Sequence, residues 1–200
     1  MSRTGAEEIL ELVREAGLVR PRDLESAGLP GGSLAQLARR GLLARVGRGL
    51  YAAPGVVPSM HRSLAEVSKR TPRGVICLLS ALRFHELTTQ APPEVWLAIG
   101  PKDRAPRPDG VRLRVVRVSG EARDAGIETH VVEGVPVRLY GVAKTVADCF
   151  KFRNKIGIDI AVEALRDCLE RRRCTVDELS EFARVCRVSR VMQPYIEALA

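Results

Sequence analysis

The sequence has few aromatic residues and few lysines, and it lacks the common nucleotide-binding strings. Aromatic side chains make up 4% of the 200 residues, and five of the 32 basic residues are lysine. A buried core must therefore consist mainly of Leu, Val, Ile and Ala side chains. No GxxxxGKS/T or GxGxxG string occurs, so nothing indicates a loop that cradles the phosphates of a nucleotide.

Metal-binding patterns are missing as well. The pair His85-Glu86 begins like HExxH, but the fifth position of that motif is Thr89. The cysteines form no CxxC pair, and their number is odd. We therefore expect no metal and no cofactor, and free thiols that pack as small apolar side chains. The cysteines are Cys77, Cys149, Cys168, Cys174 and Cys186.

No segment indicates secretion or insertion into a membrane. The first residues, MSRTGAEEI, contain no apolar run of the kind found in a signal peptide. No apolar run approaches the roughly 18–20 residues that a membrane-spanning helix needs. The sequence therefore predicts a soluble protein in a reducing compartment, the cytoplasm.

Acidic residues are absent from one long stretch. Between Glu25 and Glu66 there is no carboxylate, and the net charge of the whole chain is +8. The arginines of this stretch are Arg39, Arg40, Arg45, Arg48 and Arg62. A polyanion that approaches it meets no local repulsion, so the stretch favours nucleic acid as the partner.

The same stretch has the pattern of a DNA-reading module. Residues 33–54, SLAQLARRGLLARVGRGLYAAP, predict an amphipathic helix that stops at Gly41 and two short strands around a three-residue loop at 47–49. Two further helices are predicted upstream, over residues 4–16 and 19–27. Three helices followed by a basic hairpin predict a winged helix-turn-helix domain.

The outward-facing residues of this domain are the candidates for contact with DNA. In the major groove Arg pairs with guanine and Gln with adenine, while helix starts and basic loop tips suit phosphates. The predicted DNA-binding residues are Ser33, Gln36, Arg39, Arg40, Arg45 and Arg48. Ser33 and Gln36 also match a capping box, which would occupy the Gln36 side chain. Arg39 and Arg40 also fit an ordinary solvated helix end.

The rest of the chain predicts a second, larger domain. A linker at residues 54–58 places the domains at 1–57 and 58–200. The apolar run 75–87 predicts a central helix. Strands are predicted over residues 94–99, 111–118, 127–132 and 135–140. Helices are predicted over residues 63–70, 142–152, 158–171, 176–185 and 195–200, and Thr175 with Glu178 caps the fourth of them.

The expected fold class is α+β. An N-terminal winged helix-turn-helix domain precedes a larger α+β domain with a small, mostly antiparallel sheet and a helical C-terminal part. Lys144 and Asp148, at i and i+4 of one predicted helix, favour a surface ion pair over a catalytic role. Arg112 and Arg114 lie on one side of a strand, which fits a solvated sheet face or a partner surface. No arrangement of a nucleophile with a base is evident, so an enzyme is not expected.

Three strings together carry a family resemblance: GLLARVGRGLYAAP, GVICLLSALRFHELT and VPVRLYGVAKTVADCFKFRNKIGIDIAVEAL. In this order and spacing they resemble the AbiEi antitoxins of bacterial type IV toxin–antitoxin systems, which act in abortive phage infection, over residues 5–190. The resemblance implies a winged-helix domain that represses its own operon by binding inverted repeats in double-stranded DNA. It also implies a C-terminal domain that opposes a nucleotidyltransferase-like toxin without forming a stable complex with it.

The third string points to Lys144, Asp148 and Lys151 as candidate residues for antitoxicity. Three other functions stay open at this point. The chain could be a free-standing winged-helix regulator without a toxin, a nucleic-acid-processing enzyme or enzyme partner, or an adaptor that uses the face of Arg112 and Arg114.

Overall fold

The structure, a computed structural model, describes residues 3–107 and 110–199. The chain divides into two compact units. The first contains the described residues up to 70 together with 110–111 and 131–137, and the second contains 71–107, 112–130 and the described residues from 138 onward. The domain boundary predicted between residues 57 and 58 stays a prediction, and the first compact unit extends to residue 70.

The first unit has the element order of a winged helix. Its elements are α1 (Arg3–Ala16), α2 (Pro21–Ser26), α3 (Ser33–Arg39), β1 (Ala44–Gly47), β2 (Leu50–Ala52) and α4 (Arg62–Arg70). An isolated β-bridge joins Val19 to the antiparallel hairpin β1–β2, because the backbones of Val19 and Tyr51 exchange two hydrogen bonds of 2.9 Å. Pro21 occupies the first turn of α2, where its missing N–H costs nothing.

One apolar core holds the three helices and the hairpin together. It is formed by side chains from α1, α2, α3, the loops between them and β2, namely Ile9, Val13, Val19, Leu24, Leu34, Leu37, Leu43 and Tyr51. Most of them are fully buried, and burial of each Leu, Ile or Val contributes about 1.5–3 kcal/mol. The alternation of these residues with exposed ones sets which side of α3 faces outward.

Two local predictions in this unit are wrong. The N-cap of α3 is Gly32, no side chain caps the helix, and Ser33 is buried. The capping box of Ser33 and Gln36 therefore does not form. The hairpin loop has two residues, since Gly47 pairs with Leu50 and only Arg48 and Gly49 form the turn. Gly49 adopts φ +63°, a backbone conformation that favours glycine at this position of the turn.

The larger sheet has five strands in the order β5-β4-β3-β7-β6. Its strands are β3 (Val75–Ile76), β4 (Val95–Ile99), β5 (Leu113–Arg117), β6 (Ile127–Val132) and β7 (Val135–Tyr140). Helix α5 (Leu78–Phe84) follows β3, and α6 (Glu121–Asp124) precedes β6. The α+β fold class is confirmed. The sheet is mixed, because β3 pairs antiparallel with β4 while the pairs β3–β7 and β4–β5 are parallel.

The continuous helix predicted over residues 75–87 does not form. Val75 and Ile76 instead pair with Ala98 and Leu97 of β4, and the helix α5 starts only at Leu78. Both strand residues are β-branched and buried, which suits a central strand. An apolar run of this kind fits a buried strand as well as a buried helix, so periodicity alone cannot separate the two.

Five helices complete the second unit. They are α7 (Val142–Lys151), α8 (Arg153–Ile156), α9 (Ile158–Glu170), α10 (Val176–Val185) and α11 (Ser189–Leu199). Helix α11 begins six residues before the predicted start at Tyr195 and contains Pro194. No helix among the described residues is long and apolar enough to cross a membrane.

Cys168 and Cys174 form a disulfide, which contradicts the expectation of free thiols.

The predicted cap of α10 forms as expected. The Thr175 Oγ1 accepts a hydrogen bond of 3.2 Å from the Glu178 N–H, and the Glu178 carboxylate accepts one of 2.8 Å from the Thr175 N–H.

Thr175→Ala should lower the midpoint of thermal unfolding by about 2–4 °C, because one N–H of the first turn loses its acceptor. Ser180→Ala, an exposed change inside the same helix, is the matched control in calorimetry, and an equal shift for both variants would contradict the capping role.

Candidate nucleic-acid interface

Helix α3 presents a polar, basic side outward. Leu34 and Leu37 point into the core and are fully buried, whereas the intervening positions are exposed. The exposed residues are Ala35, Gln36, Arg39 and Arg40. Because the N-cap position of α3 is Gly32 and no side chain caps the helix, capping does not occupy the Gln36 side chain. The interpretation of Gln36 as a cap is thus wrong.

The hairpin adds two further arginines. Arg45 is exposed in the middle of β1, and its Nε donates a hydrogen bond of 3.4 Å to the carbonyl of Gly47. Arg48 is exposed at the first position of the turn. Within the described residues, no ion pair engages the side chains of Arg39, Arg40, Arg45 or Arg48. Four cationic side chains on α3 and the hairpin therefore remain for an anionic partner.

Two other residues of the stretch without carboxylates are not exposed in this way. Ser33 is only 6% exposed, so its side chain does not face a partner. Arg62 makes ion pairs with Glu66 (3.3 Å) and Glu133 (3.0 Å), and its side chain is 11% exposed. Counting charges along the sequence could not show that Arg62 is neutralised, because Glu133 lies 71 residues further on.

Asp23, a carboxylate just upstream of this stretch, is also neutralised. Asp23 makes ion pairs with Arg20 at 3.2 Å and Lys69 at 3.1 Å. Burial raises the pKa of Asp23, but hydrogen bonds from the Arg20 backbone and guanidinium and from Lys69 outweigh it, so the pKa is lowered overall. Asp23 stays ionised at neutral pH and is matched by two cations.

The sequence did not predict one further cationic side chain, a guanidinium that lies beside the hairpin. Arg70, the last residue of α4, places its Nη2 2.7 Å from where a Cβ on Gly47 would lie. The only sequence signal was the i, i+4 spacing of Arg62, Glu66 and Arg70 along α4. That spacing is common on solvated helices and does not show what the helix packs against.

The second candidate cluster, Lys144 and Asp148 of α7, is buried. The Lys144 Nζ lies 2.5 Å from the Asp148 Oδ2 and 3.9 Å from the centre of the Tyr140 ring, and the Cys186 Sγ donates to the Asp148 Oδ1 at 3.2 Å. The side chains of Lys144 and Asp148 are 0% and 1% exposed, so the predicted surface ion pair is wrong. Neither side chain reaches a partner surface, whereas Lys151 is half-buried at the end of α7.

Burial dominates the electrostatics of this pair and of the thiols in the second unit. Burial raises the pKa of Asp148, and the adjacent Lys144 lowers it, with the effect of burial being larger. Burial also raises the pKa of the Cys77 and Cys149 thiols well above the usual value and that of Cys186 to about 12. These thiols stay protonated and weakly nucleophilic at neutral pH. Among residues 3–107 and 110–199, no group of His, Cys, Asp or Glu is placed to hold a metal ion.

The face of Arg112 and Arg114 is partly engaged within the second unit. The Arg114 guanidinium lies 4.8 Å from the centre of the Trp96 ring and pairs with Glu94 at 3.0 Å. The Arg114 side chain is 52% exposed, so its pair with Glu94 contributes little to stability. The arginine also covers the buried Trp96. This arrangement fits a solvated sheet face.

Three helices, a hairpin, and an exposed basic surface on the third helix and the turn define a winged helix-turn-helix protein. Residues 7–54 match the sequence profile of the family described as "Transcriptional regulator, AbiEi antitoxin", which confirms the resemblance to that family over this segment. A comparison with curated proteins returned no match.

A solved structure with a similar fold is the crystal structure of RV2827C protein from Mycobacterium tuberculosis. The TM-score is 0.61 with 17% sequence identity, and the alignment covers 100% of this chain and 81% of that one. At this identity the similarity shows a shared fold and nothing about shared activity. The fold similarity extends over both units, whereas the family match is confined to residues 7–54.

Proposed function

We propose that this protein is a DNA-binding antitoxin that represses its own toxin–antitoxin operon. The proposal also includes antagonism of a nucleotidyltransferase-like toxin without a stable complex between the two. The observation that carries the DNA-binding part is the exposed, unpaired arginine surface on α3 and the hairpin, in a segment that matches a regulator family. The antitoxin part is supported by the family match and by the resemblance of the downstream strings.

In the proposed complex, α3 lies in the major groove of operator DNA. Gln36, Arg39 and Arg40 face base edges and phosphates there, where Gln suits adenine and Arg suits guanine. Arg45 and Arg48 on the hairpin bind the backbone or the minor groove beside it. Ser33 is left out as a side-chain contact because it is buried.

The roles proposed for the second unit need a distinction between its residues. Lys144 and Asp148 are buried, so any effect on antitoxicity arises through the stability of α7 and its neighbours. Lys151 is half-buried and remains a candidate contact. We propose a non-enzymatic role for this unit, supported by the buried thiols and the fully buried ion pair.

The double change Arg39→Ala with Arg48→Ala should weaken binding to DNA from upstream of the gene. It should also reduce the slope of log K against log salt concentration by up to about 2, because each arginine that binds a phosphate releases about one counterion. Mobility-shift titrations at several salt concentrations measure both quantities. Arg166→Ala with Arg190→Ala, two exposed positions on α9 and α11, removes the same charge and is the control. An unchanged slope in the first double variant would refute the proposed contacts.

Rescue from toxicity separates repression from antitoxicity. The full chain, expressed from an unrelated promoter with a neighbouring nucleotidyltransferase-like gene, should restore growth. The variant that has lost Arg39 and Arg48 should still do so if DNA binding is not needed. The full chain is used because the first unit combines residues from both sides of the predicted boundary. Absence of such a neighbouring gene would favour the free-standing regulator instead.

A further inference from the structure

We propose that Arg70 is a positioning residue for the hairpin β1–β2, and through it for Arg48. The inference rests on the proposed DNA-binding function, because positioning Arg48 matters only if Arg48 binds DNA. Its basis is the place of the Arg70 guanidinium, which lies where a side chain on Gly47, the residue that precedes the turn, would begin. All residues involved belong to the first unit.

The backbone conformation of Gly47 does not require glycine. It is not among the glycines with positive φ, so an L-residue could adopt its backbone angles. A Cβ on Gly47 would nevertheless lie 2.7 Å from the Arg70 Nη2, while its next neighbours, the Arg70 Cζ and the Leu50 Cβ, are 3.9 and 4.0 Å away. Because this guanidinium is the far end of a flexible side chain, a Cβ at position 47 would displace it from the hairpin.

The guanidinium is held by charge and packing. Its Nη1 lies 3.6 Å from the Glu66 Oε2, and the Arg70 side chain is 16% exposed. Both Nη atoms are buried without a hydrogen-bond acceptor among the described residues. A buried donor without an acceptor is costly, so its position must be maintained by the surrounding structure. The ion pair with Glu66 provides part of that support.

Glu66 is itself part of a chain of alternating charges. Arg62, one turn earlier on α4, pairs with Glu66 at 3.3 Å and with Glu133 at 3.0 Å. Glu133 also accepts a hydrogen bond of 2.7 Å from the Ser59 N–H. The chain of charges runs Glu133, Arg62, Glu66, Arg70, and its last guanidinium lies beside Gly47 of the hairpin. Each member is less than about one-fifth exposed, so solvent screens these pairs less than it screens ordinary surface pairs.

The hairpin needs such support because it is small. β1 and β2 contain four and three residues, and a two-stranded hairpin is marginally stable by itself. Arg48 directly follows Gly47, so a tilt of the strand end moves Arg48 relative to α3. Removal of the guanidinium would leave a gap beneath Gly47 and allow that tilt.

A double-mutant cycle tests this inference with full-length protein and DNA from upstream of the gene. Arg70→Ala and Arg48→Ala should each weaken binding by roughly tenfold, and the variant with both changes should bind no more weakly than Arg48→Ala alone. Arg70→Lys should not restore affinity, since an ammonium lacks the planar group that covers Gly47. Gly47→Ala should reproduce the effect of Arg70→Ala. Arg166→Ala controls for the loss of one charge.

Hydrogen exchange in the absence of DNA provides a readout that does not depend on the proposed function. Arg70→Ala should speed exchange of the amides in residues 44–52 and leave those of α1 unchanged. The inference would be overturned if the fold-losses of DNA affinity from Arg48→Ala and Arg70→Ala multiply in the double variant. It would also be overturned if the hairpin amides of Arg70→Ala exchange as slowly as those of the unaltered protein. Faster hairpin exchange together with normal DNA binding by Arg48→Ala would uphold the positioning role and refute the DNA contact.

Discussion

Lys144→Met should lower the free energy of unfolding by about 3–5 kcal/mol, because it leaves a buried carboxylate without its cation. The Asp148 carboxylate is 1% exposed, and its two partners are the Lys144 Nζ at 2.5 Å and the Cys186 Sγ at 3.2 Å. A thiol is a weak donor and cannot replace an ammonium. Denaturant titration followed by circular dichroism measures the loss.

The pH dependence of this loss distinguishes an electrostatic cause from a packing cause. Burial raises the pKa of Asp148, and Lys144 is the group that opposes the rise. Without Lys144 the folded-state pKa of Asp148 moves further above its unfolded value. A group with a raised folded-state pKa contributes stability at low pH that is lost as pH increases. The Lys144→Met variant should therefore lose more stability, relative to the unaltered protein, at pH 8 than at pH 5.

Lys144→Met combined with Asp148→Leu is the matched control. It removes both charges and keeps apolar volume, so most of the lost stability should return. If the double variant is as unstable as Lys144→Met, the loss comes from packing around Tyr140 and not from the unpaired carboxylate. A Lys144→Met protein with the same stability at pH 5 and pH 8 would contradict the electrostatic cause in the same way.

The misinterpretation of this pair shows a limit of spacing arguments. The i, i+4 spacing of Lys144 and Asp148 correctly indicates one side of one helix. It does not reveal that β7 and α10 cover that side, because Tyr140 and Cys186 come from elements defined only by the fold. The disulfide of Cys168 and Cys174 was missed for a related reason, since six residues of separation across a helix end carry no motif.

Elements with strong local signals were predicted closely. The turn Glu133-Gly134 and its flanking strands have the predicted bounds, as does α10 behind its Thr175 cap. Both are set by residues that are near neighbours in sequence. The run at 75–87 lacked such a signal, and its division into β3 and α5 depends on pairing with β4. Local chemistry therefore predicts ends and turns better than it predicts which partner an apolar segment finds.

In the candidate interface, too, features set by local sequence could be predicted and features set by distant contacts could not. The exposed arginines of α3 and the hairpin could be predicted from helical period, strand alternation and the missing carboxylates. The N-cap at Gly32, the pairing of Arg62 with Glu133 and the place of the Arg70 guanidinium beside Gly47 could not be predicted. Each of these depends on a loop conformation or on a contact distant in sequence.

Gly17→Ala should lower the free energy of unfolding by about 2–5 kcal/mol, the sum of about 1–2 for a left-handed backbone and about 1–3 for overpacking. Gly17 adopts φ +66°, and a Cβ there would overlap the Glu133 carbonyl oxygen and lie 2.6 Å from the carbonyl carbon. From the other side, a Cβ on Gly134 would lie 2.6 Å from the Ala16 carbonyl. Two backbones thus approach at a point where neither tolerates a side chain.

Gly28→Ala separates the two contributions. Gly28 has φ +75°, but a Cβ there meets nothing within 4 Å, so only the left-handed conformation is penalised, by about 1–2 kcal/mol. The further decrease in the free energy of unfolding for Gly17→Ala, compared with Gly28→Ala, gives the cost of overpacking between residue 17 and the turn at 133–134. Chemical denaturation of both variants gives this difference. Equal losses would mean that the turn moves away without cost, and the segment 131–137 would then not be a firmly packed part of the first unit.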